Sequence, residues 1–393
     1  METNNQKNDQ NIIPNDADKP QKGVNVPNLR FSQFQNIWIK KSLHDITKKI
    51  NIKNKNKECK NVICNSAQLG LIKQIDFFDK EIAQDRSIKN YTIIKKNDFV
   101  YNPRKSLNAP YGPVNIYNYE EAGVVSPLYL CFSVHNIDKI FLHYYFKSQA
   151  WYRFIYLNGD SGARHDRVSI KDEVFFSQNL YLPNAIEQEK IGVFLTLIDQ
   201  RIDTQSKIIE KYESLIKAIS NKLFFNITNR VNLSEICSIT TGKLDANQMD
   251  ENGIYPFFTC GKETLKINRY AFDCEAILIS GNGDIGRTKY YNGKFNAYQR
   301  TYILYNFKGS PIFIKYAIDY VLPKKVKEET QISAMPYIKL ATLSELSIPY
   351  PDITIQIEDV QILDTLQTKI KVEKNFLEKL KEQKKYLLSN MFI

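Results

Sequence analysis

The sequence predicts an α+β chain in which two mixed helix-and-strand globules are separated by two long helices that form an antiparallel coiled coil, with an internal pseudo-two-fold repeat. Three observations carry this. A strand closed by proline, Leu180-Tyr181-Leu182-Pro183, leads into a charged segment ending Leu223-Phe224, and Ile348-Pro349-Tyr350-Pro351 leads into one ending Met391-Phe392. Pro183 and Pro351 are 168 residues apart, and so are Phe224 and Phe392. A constant long offset marks duplicated modules. Both charged segments carry one apolar seam at heptad spacing: Leu195, Ile198, Ile202, Ile209, Tyr212 and Ile219 in the first, Leu363, Leu366, Ile370, Leu377, Leu380 and Leu387 in the second. Shared seams of this kind specify paired helices. The rest of the chain consists of short aromatic and β-branched runs broken by Gly, Pro and Asn, the pattern of strands in a mixed or antiparallel sheet.

Taken in order, residues 1–27 are polar, lack apolar periodicity and read as a disordered tail. Residues 28–183 form the first globule, with strands expected at Tyr91-Ile94, Asp98-Tyr101 and Ser126-Val134 and helix around Ile137 to Phe154. Residues 184–230 are the central helix and 231–351 the second globule. Residues 352–393 are the final helix, each helix being roughly 50 Å long at about 1.5 Å per residue. Asn232-Leu233-Ser234-Glu235-Ile236 corresponds to Ser42-Leu43-His44-Asp45-Ile46, and Tyr298-Leu304 takes the place of Val125-Leu130. Polar Gln205, Glu373 and Lys384 interrupt the seams, where they set register or mark a wet end. If the ends of the second globule lie close together, the second helix returns beside the first as an antiparallel rod with a globule at each end.

With 393 residues the chain exceeds a single hydrophobic core. Its net charge of +11 is concentrated in the first globule, above all in Lys40, Lys41, Lys48, Lys49, Lys53, Lys55, Lys57 and Lys60. Such a run reads either as a solvated loop or as the footprint of a phosphate-backbone contact. The six cysteines show neither zinc spacing nor a disulfide framework, which fits a reducing cytoplasm. No apolar stretch is long enough to span a membrane, and Met1 to Lys22 lacks the apolar core of a signal peptide.

Catalytic signatures are few. Gly281-Asn282-Gly283-Asp284-Ile285-Gly286 matches a dinucleotide-binding fingerprint, which requires a following helix. The next residues, Arg287-Thr288-Lys289-Tyr290-Tyr291-Asn292-Gly293, favour strand and end in an Asn-Gly turn, so a glycine-bearing hairpin is expected. No adenine-methyltransferase signature, P-loop or nuclease core occurs, and His44, His135, His143 and His165 form no metal pair. No catalytic residue and no metal site is assigned.

The alternation of globule and helix, with matched proline junctions, resembles the specificity subunit of Type I restriction-modification systems. The resemblance rests on Leu180-Pro183 followed by Glu187-Gln188-Glu189-Lys190-Ile191 and Leu197-Ile202, on Ile348-Pro351 with Leu366-Ile370, on Glu121-Tyr129, and on Leu233-Ile236. It covers roughly residue 30 to the end. One departure is that Ile355-Gln356-Ile357 stands where the first junction has Glu187-Gln188-Glu189, so a partner contact by Glu187 need not be duplicated. The resemblance implies two target-recognition domains, each reading half of a bipartite, non-palindromic double-stranded DNA target. It further implies helices that fix the gap and dock two methyltransferase subunits, with Glu187 and Gln188 as partner-binding residues, and restriction/translocase subunits beyond them. Such a chain is a non-catalytic, cytoplasmic component of DNA methylation and defence against foreign DNA. S-adenosylmethionine, ATP and Mg are then expected on the partner subunits and none in this chain.

Base edges are read by Arg, Lys, Asn and Gln on loops held by a rigid frame. In the first globule the candidates are Arg104, Lys105 and Asn108 on one loop and Arg164 and Arg167 on another. In the second they are Lys243, Lys262, Arg287, Lys289, Arg300 and Gln331. A coiled-coil scaffold without DNA binding is the alternative, and an enzyme with its own cofactor is a third reading. The basic excess and the duplicated Arg- or Gln-bearing loops favour DNA.

Overall fold

The computed structural model describes residues 25–78, 88–161, 166–330 and 337–393. Contacts divide the chain into two compact units, one running to Asp203 and taking in Glu378–Ile393, the other Thr204–Leu377. The chain is mixed helix and strand, as the sequence predicts. The unit borders fall inside the long helices, because each half-helix packs into the core of its own unit.

In the first unit, β1 (Ile39–Ser42) leads through a helical turn into β2 (Thr47–Lys49). Ser42 and Asp45 cap that turn reciprocally, satisfying two otherwise unpaired backbone donors. Strands β3 (Phe99–Tyr101), β4 (Val114–Ile116) and β5 (Leu130–Val134) join β2 in a four-stranded sheet of order β2-β5-β3-β4. Helices α1 (Lys139–Lys147) and α2 (Tyr152–Asn158) follow, α1 starting where Asp138 accepts a bond from Phe141 N at 2.7 Å. Strand β6 (Asn179–Leu182) returns antiparallel to β1, and Pro183 separates it from α3 (Ala185–Phe225). The core gathers Trp38, Phe99, Phe132, Phe141, Phe175 and Trp151 with Leu195 of α3, and Leu387, Met391 and Phe392 from the end of the chain.

The second unit repeats this frame. Strand β7 (Arg230–Asn232) precedes a turn in which Asn232 and Glu235 again form a capping box, followed by β8 (Ser238–Thr241). Strands β9 (Tyr255–Phe258), β10 (Leu265–Ile267), β11 (Phe272–Ser280), β12 (Thr288–Ala297) and β13 (Thr301–Tyr305) complete a six-stranded sheet of order β8-β13-β11-β12-β9-β10. Helix α4 (Pro311–Thr330) leads on to β14 (Ser347–Pro349), which pairs with β7 as β6 pairs with β1. Pairing of β8 with β13 likewise repeats that of β2 with β5. The chain then enters α5 (Ile353–Asn390).

The heptad reading holds at every seam position. Leu195, Ile209, Leu363, Ile370, Leu380 and Leu387 are buried, and Ile198, Ile202, Tyr212, Ile219, Leu366 and Leu377 are half-buried. In the first unit Lys384 of α5 pairs with Asp199 of α3, and in the second Lys374 pairs with Glu213 at 2.6 Å. Position rises along one helix as it falls along the other, which makes the pairing antiparallel.

Three expectations are corrected. Residues 25–27 belong to the folded chain rather than to a disordered tail: Pro27 is buried, and Asn25 O accepts from Trp38 N at 3.0 Å. Asn292-Gly293 is not a turn but lies inside β12, opposite Glu275 and Cys274, with Gly293 at φ +130° giving an irregularity that only glycine takes easily. The strand-rich pattern of the second globule also concealed α4. Its Phe313, Ile314, Tyr316, Ala317, Ile318 and Leu322 are buried around much of its circumference, leaving no one-sided apolar stripe to read.

Candidate nucleic-acid interface

The two loops singled out in the first unit are neighbours. Residues Asn102 to Ala109 and Asp166 to Val168 run antiparallel, Lys105 N donating to Asp166 O at 2.8 Å and Val168 N to Pro103 O at 2.9 Å. This pairing sets Arg104 directly opposite Arg167, and both are exposed. Asp166 is the acid near Arg167, at a long 4.0 Å. Asn108 is exposed and Lys105 half-buried. Arg164 lies outside the described residues.

A buried amide chain holds this loop from below. Asn102 accepts from Arg104 N at 3.0 Å and donates to Asn65 O at 3.1 Å. Asn115 donates to Asn65 Oδ1 at 2.5 Å and accepts from Lys147 Nζ of α1 at 2.6 Å. Burial, reinforced by Lys384, pushes the Lys147 ammonium down to about 8. The loop's position is therefore tied to the packed core, which suits a readout element. Beside it opens a cleft of about 740 Å³ lined by Asn65, Gln68, Asn102, Arg104, Tyr129 and Arg167 among others. A second cleft, of about 420 Å³, shares Pro103, Leu128 and Tyr129 with the first and adds Lys49 and Lys53. Lys49 pairs with Asp172 at 2.5 Å, and Lys53 donates to Thr92 at 3.0 Å. Part of the lysine run therefore shares a face with the two arginines.

In the second unit the Gly281–Gly286 segment links antiparallel β11 to β12, so no helix follows it and the dinucleotide reading fails. Gly283 and Gly286 take φ of +62° and +76° in this loop. Gly281 N donates to Arg300 O at 2.9 Å, and Cys260 Sγ to the same oxygen at 3.3 Å. Arg287 bonds Gly261 O and pairs with Asp284 at 3.4 Å. Lys289 bonds Thr264 and stands 5.0 Å from the Phe258 ring centroid, and burial, with Arg287 nearby, holds its ammonium below the ordinary lysine value. Lys262 lies on the same Gly261–Thr264 loop, while Gln299 N bonds Leu244 O at 2.9 Å beside Lys243. Lys243, Lys262 and Arg300 are exposed. Four of the five predicted cations of this unit thus stand on loops, and Lys289 stands at the start of β12 beside them. Gln331 lies outside the described residues, but Ile338 N, seven positions on, donates to Gly281 O at 2.9 Å.

Sequence reasoning missed exposed Lys324, Lys325 and Lys327 near the end of α4. Leu322 and Val326 of that helix approach Gly286, which places this basic stretch near the hairpin loop. A helix recognised there would have signalled them.

The expected partner contacts are relocated. Glu187 is fully buried, gripped by Arg30 Nε and Nη2, each at 2.7 Å, with Trp38 Nε1 at 3.4 Å. Gln188 is buried too, accepting from Asp138 N and donating to Pro183 O, both at 2.9 Å. Neither side chain offers a surface contact, because both are consumed in anchoring α3 to the first globule. Gln356 does the same for α5, accepting from Ser310 N at 3.0 Å and donating to Pro351 O at 2.9 Å. The glutamine is thus duplicated in role as well as position. Among the described residues no helix is long and apolar enough to cross a membrane, and no cluster of His, Cys, Asp or Glu could hold a metal ion.

Residues 228–382 match the family model described as "Type I restriction modification DNA specificity domain". The match takes in less than half of the chain. The Type I restriction enzyme EcoDI specificity subunit of Escherichia coli is 41% identical over 154 residues, 38% of this chain and 33% of that protein. The chain therefore matches only about a third of the length of this curated relative. The S subunit of a Type I restriction-modification system from M. genitalium has the same fold, with a TM-score of 0.59 at 20% identity, over 94% of this chain and 99% of that one. A chain from a study of complex assembly and conformational transition in a type I R-M system gives 0.59 at 14% identity, over 89% and 96%. The matched span takes in the loops with Lys262, Arg287 and Arg300, Lys289 at the start of β12, and α5 as far as Glu382 with its seam from Leu363 to Leu380. The part of the first unit that runs to Asp203 lies outside the matched span, yet it has the same junction, capping turn and glutamine anchor as that span.

Proposed function

We propose that this chain is the sequence-reading subunit of a Type I restriction-modification complex, each unit contacting one half of a bipartite double-stranded DNA target. The observation that carries this reading is the match of residues 228–382 to a DNA specificity domain, set beside a first unit with the same frame but different cationic loops. Arg104 and Arg167 are both exposed and stand opposite one another, with Asp166 4.0 Å from Arg167, an arrangement that favours phosphate or a guanine edge. The candidate readout residues of the two units stand on differently built loops, which supports two different half-sites and a target that is not a palindrome.

The chain itself supplies recognition. Methylation and cleavage fall to methyltransferase and restriction subunits, which bring S-adenosylmethionine, ATP and Mg, in the cytoplasm. The paired helices set the gap between half-sites and carry the methyltransferase subunits, on surfaces other than Glu187 and Gln188. Mapping of methyladenine across a genome, with and without this chain, tests the reading. A bipartite asymmetric motif that disappears with the chain is the expected result, and an unchanged methylation pattern would overturn it. Adding one heptad to both helices should widen the permitted gap without changing either half-site.

A further inference from the structure

Leu107 is 100% exposed. It occupies a corner of a two-residue turn closed by mutual backbone bonds, Ser106 N to Ala109 O at 3.0 Å and Ala109 N to Ser106 O at 3.1 Å. Isolated apolar residues on a surface are ordinary, but this one has company. Leu69, Phe77 and Leu128 line the same cleft and are exposed by 62%, 43% and 59%. The rim of that cleft is basic, with Arg104, Lys105 and Arg167. The turn is also rigidly carried: its base is pinned by the Arg104–Arg167 pairing and by the Asn102–Asn65–Asn115–Lys147 chain into the core.

An apolar tip ringed by cations is matched to a polyanion with apolar surface between its charges. In duplex DNA that surface is the face of a base, exposed only when a base step opens. Resting on the DNA reading above, we propose that Leu107 is a wedge that enters one base step of the half-site contacted by the first unit and partly unstacks it. Asn108, the other corner of the turn, bonds a base edge freed beside it, while Arg104 and Arg167 hold the flanking phosphates. The first unit then selects sequence partly through the ease of opening that step, a preference that flexible pyrimidine–purine steps satisfy best.

The test uses the full chain and duplexes that it enriches from a random pool, with 2-aminopurine placed at each position of the first half-site in turn. Wild type should raise 2-aminopurine fluorescence several-fold at one step. Leu107→Ser should abolish that rise and lower affinity about tenfold, while Leu107→Met keeps both. Because the residue is wholly exposed, these variants fold as wild type does. Unchanged affinity in Leu107→Ser overturns the wedge, and so does an affinity loss with no unstacking at any position, which would indicate contact with a thymine methyl. If the wild-type chain enriches no sequence, the DNA reading itself fails, a result distinct from either.

Discussion

Gln205 and Glu373 stand 168 residues apart in the sequence, yet Gln205 Nε2 lies 2.6 Å from Glu373 Oε2. They are the same position of the two repeats, so the seams cross where each copy offers its polar residue. Gln205 is buried, and its amide also reaches Glu373 O at 3.3 Å. The Gln205 bond, followed by Lys369, holds the Glu373 carboxyl below its ordinary value. Stability from this pair is therefore present above the ordinary carboxylate range and is lost as pH falls through the lowered value. Gln205→Ala should lower the melting midpoint by a few degrees at neutral pH and by less in acid, as followed by circular dichroism. An equal deficit at both pH values would contradict this account. Joint replacement of Gln205 and Glu373 by leucine should restore the midpoint but loosen register.

Arg30 and Glu187 form a fork in which the carboxylate has no access to water. Removing one partner of a buried pair strands the other charge, at a cost of about 3 to 5 kcal/mol. Arg30→Ala should destabilise the first unit by that order in urea titrations, and Arg30→Met with Glu187→Met should recover most of it. A double variant no better than the single would show that the segment around Arg30 matters for packing alone.

Arg104→Ala and Arg167→Ala should each weaken specific DNA binding by about 1 to 3 kcal/mol. A phosphate contact also lowers the salt slope by about one unit, whereas a base contact relaxes specificity at one position. Titrations at several salt concentrations separate the two, and variants indistinguishable from wild type in both would remove these arginines from the interface.

His143 gives the first unit an acid limit. Its Nδ1 is buried without a hydrogen-bond partner among the described residues, and burial, with Lys147 and Lys384 nearby, holds the ring down to about 3. The unfolded ring takes a proton below about pH 6.5 and the folded one only near 3, so stability falls across that window as pH drops, by about 1 kcal/mol per pH unit. His143→Leu should flatten this limb of a stability-against-pH curve while leaving neutral behaviour close to wild type.

What was legible in the sequence is what repeats locally. The proline junctions and the seam from Leu195 to Met391 each depend on residues within a turn or two of one another, so their spacing states their structure. The hairpin at Gly281 was legible for the same reason, since strand-favouring residues flank its glycines. Helix α4 was not, because a helix buried around most of its surface has no polar face to give periodicity.

By itself the sequence determined two copies of one frame, paired helices and cation-bearing loops that differ between the copies. Only the tertiary structure decided which loops meet, that Arg104 faces Arg167 from 63 positions away in the sequence, and that Glu187 turns inward to Arg30. Periodicity is a property of neighbours along the chain, whereas the partner of a side chain is fixed by loop closure and strand register, to which residues far apart contribute jointly.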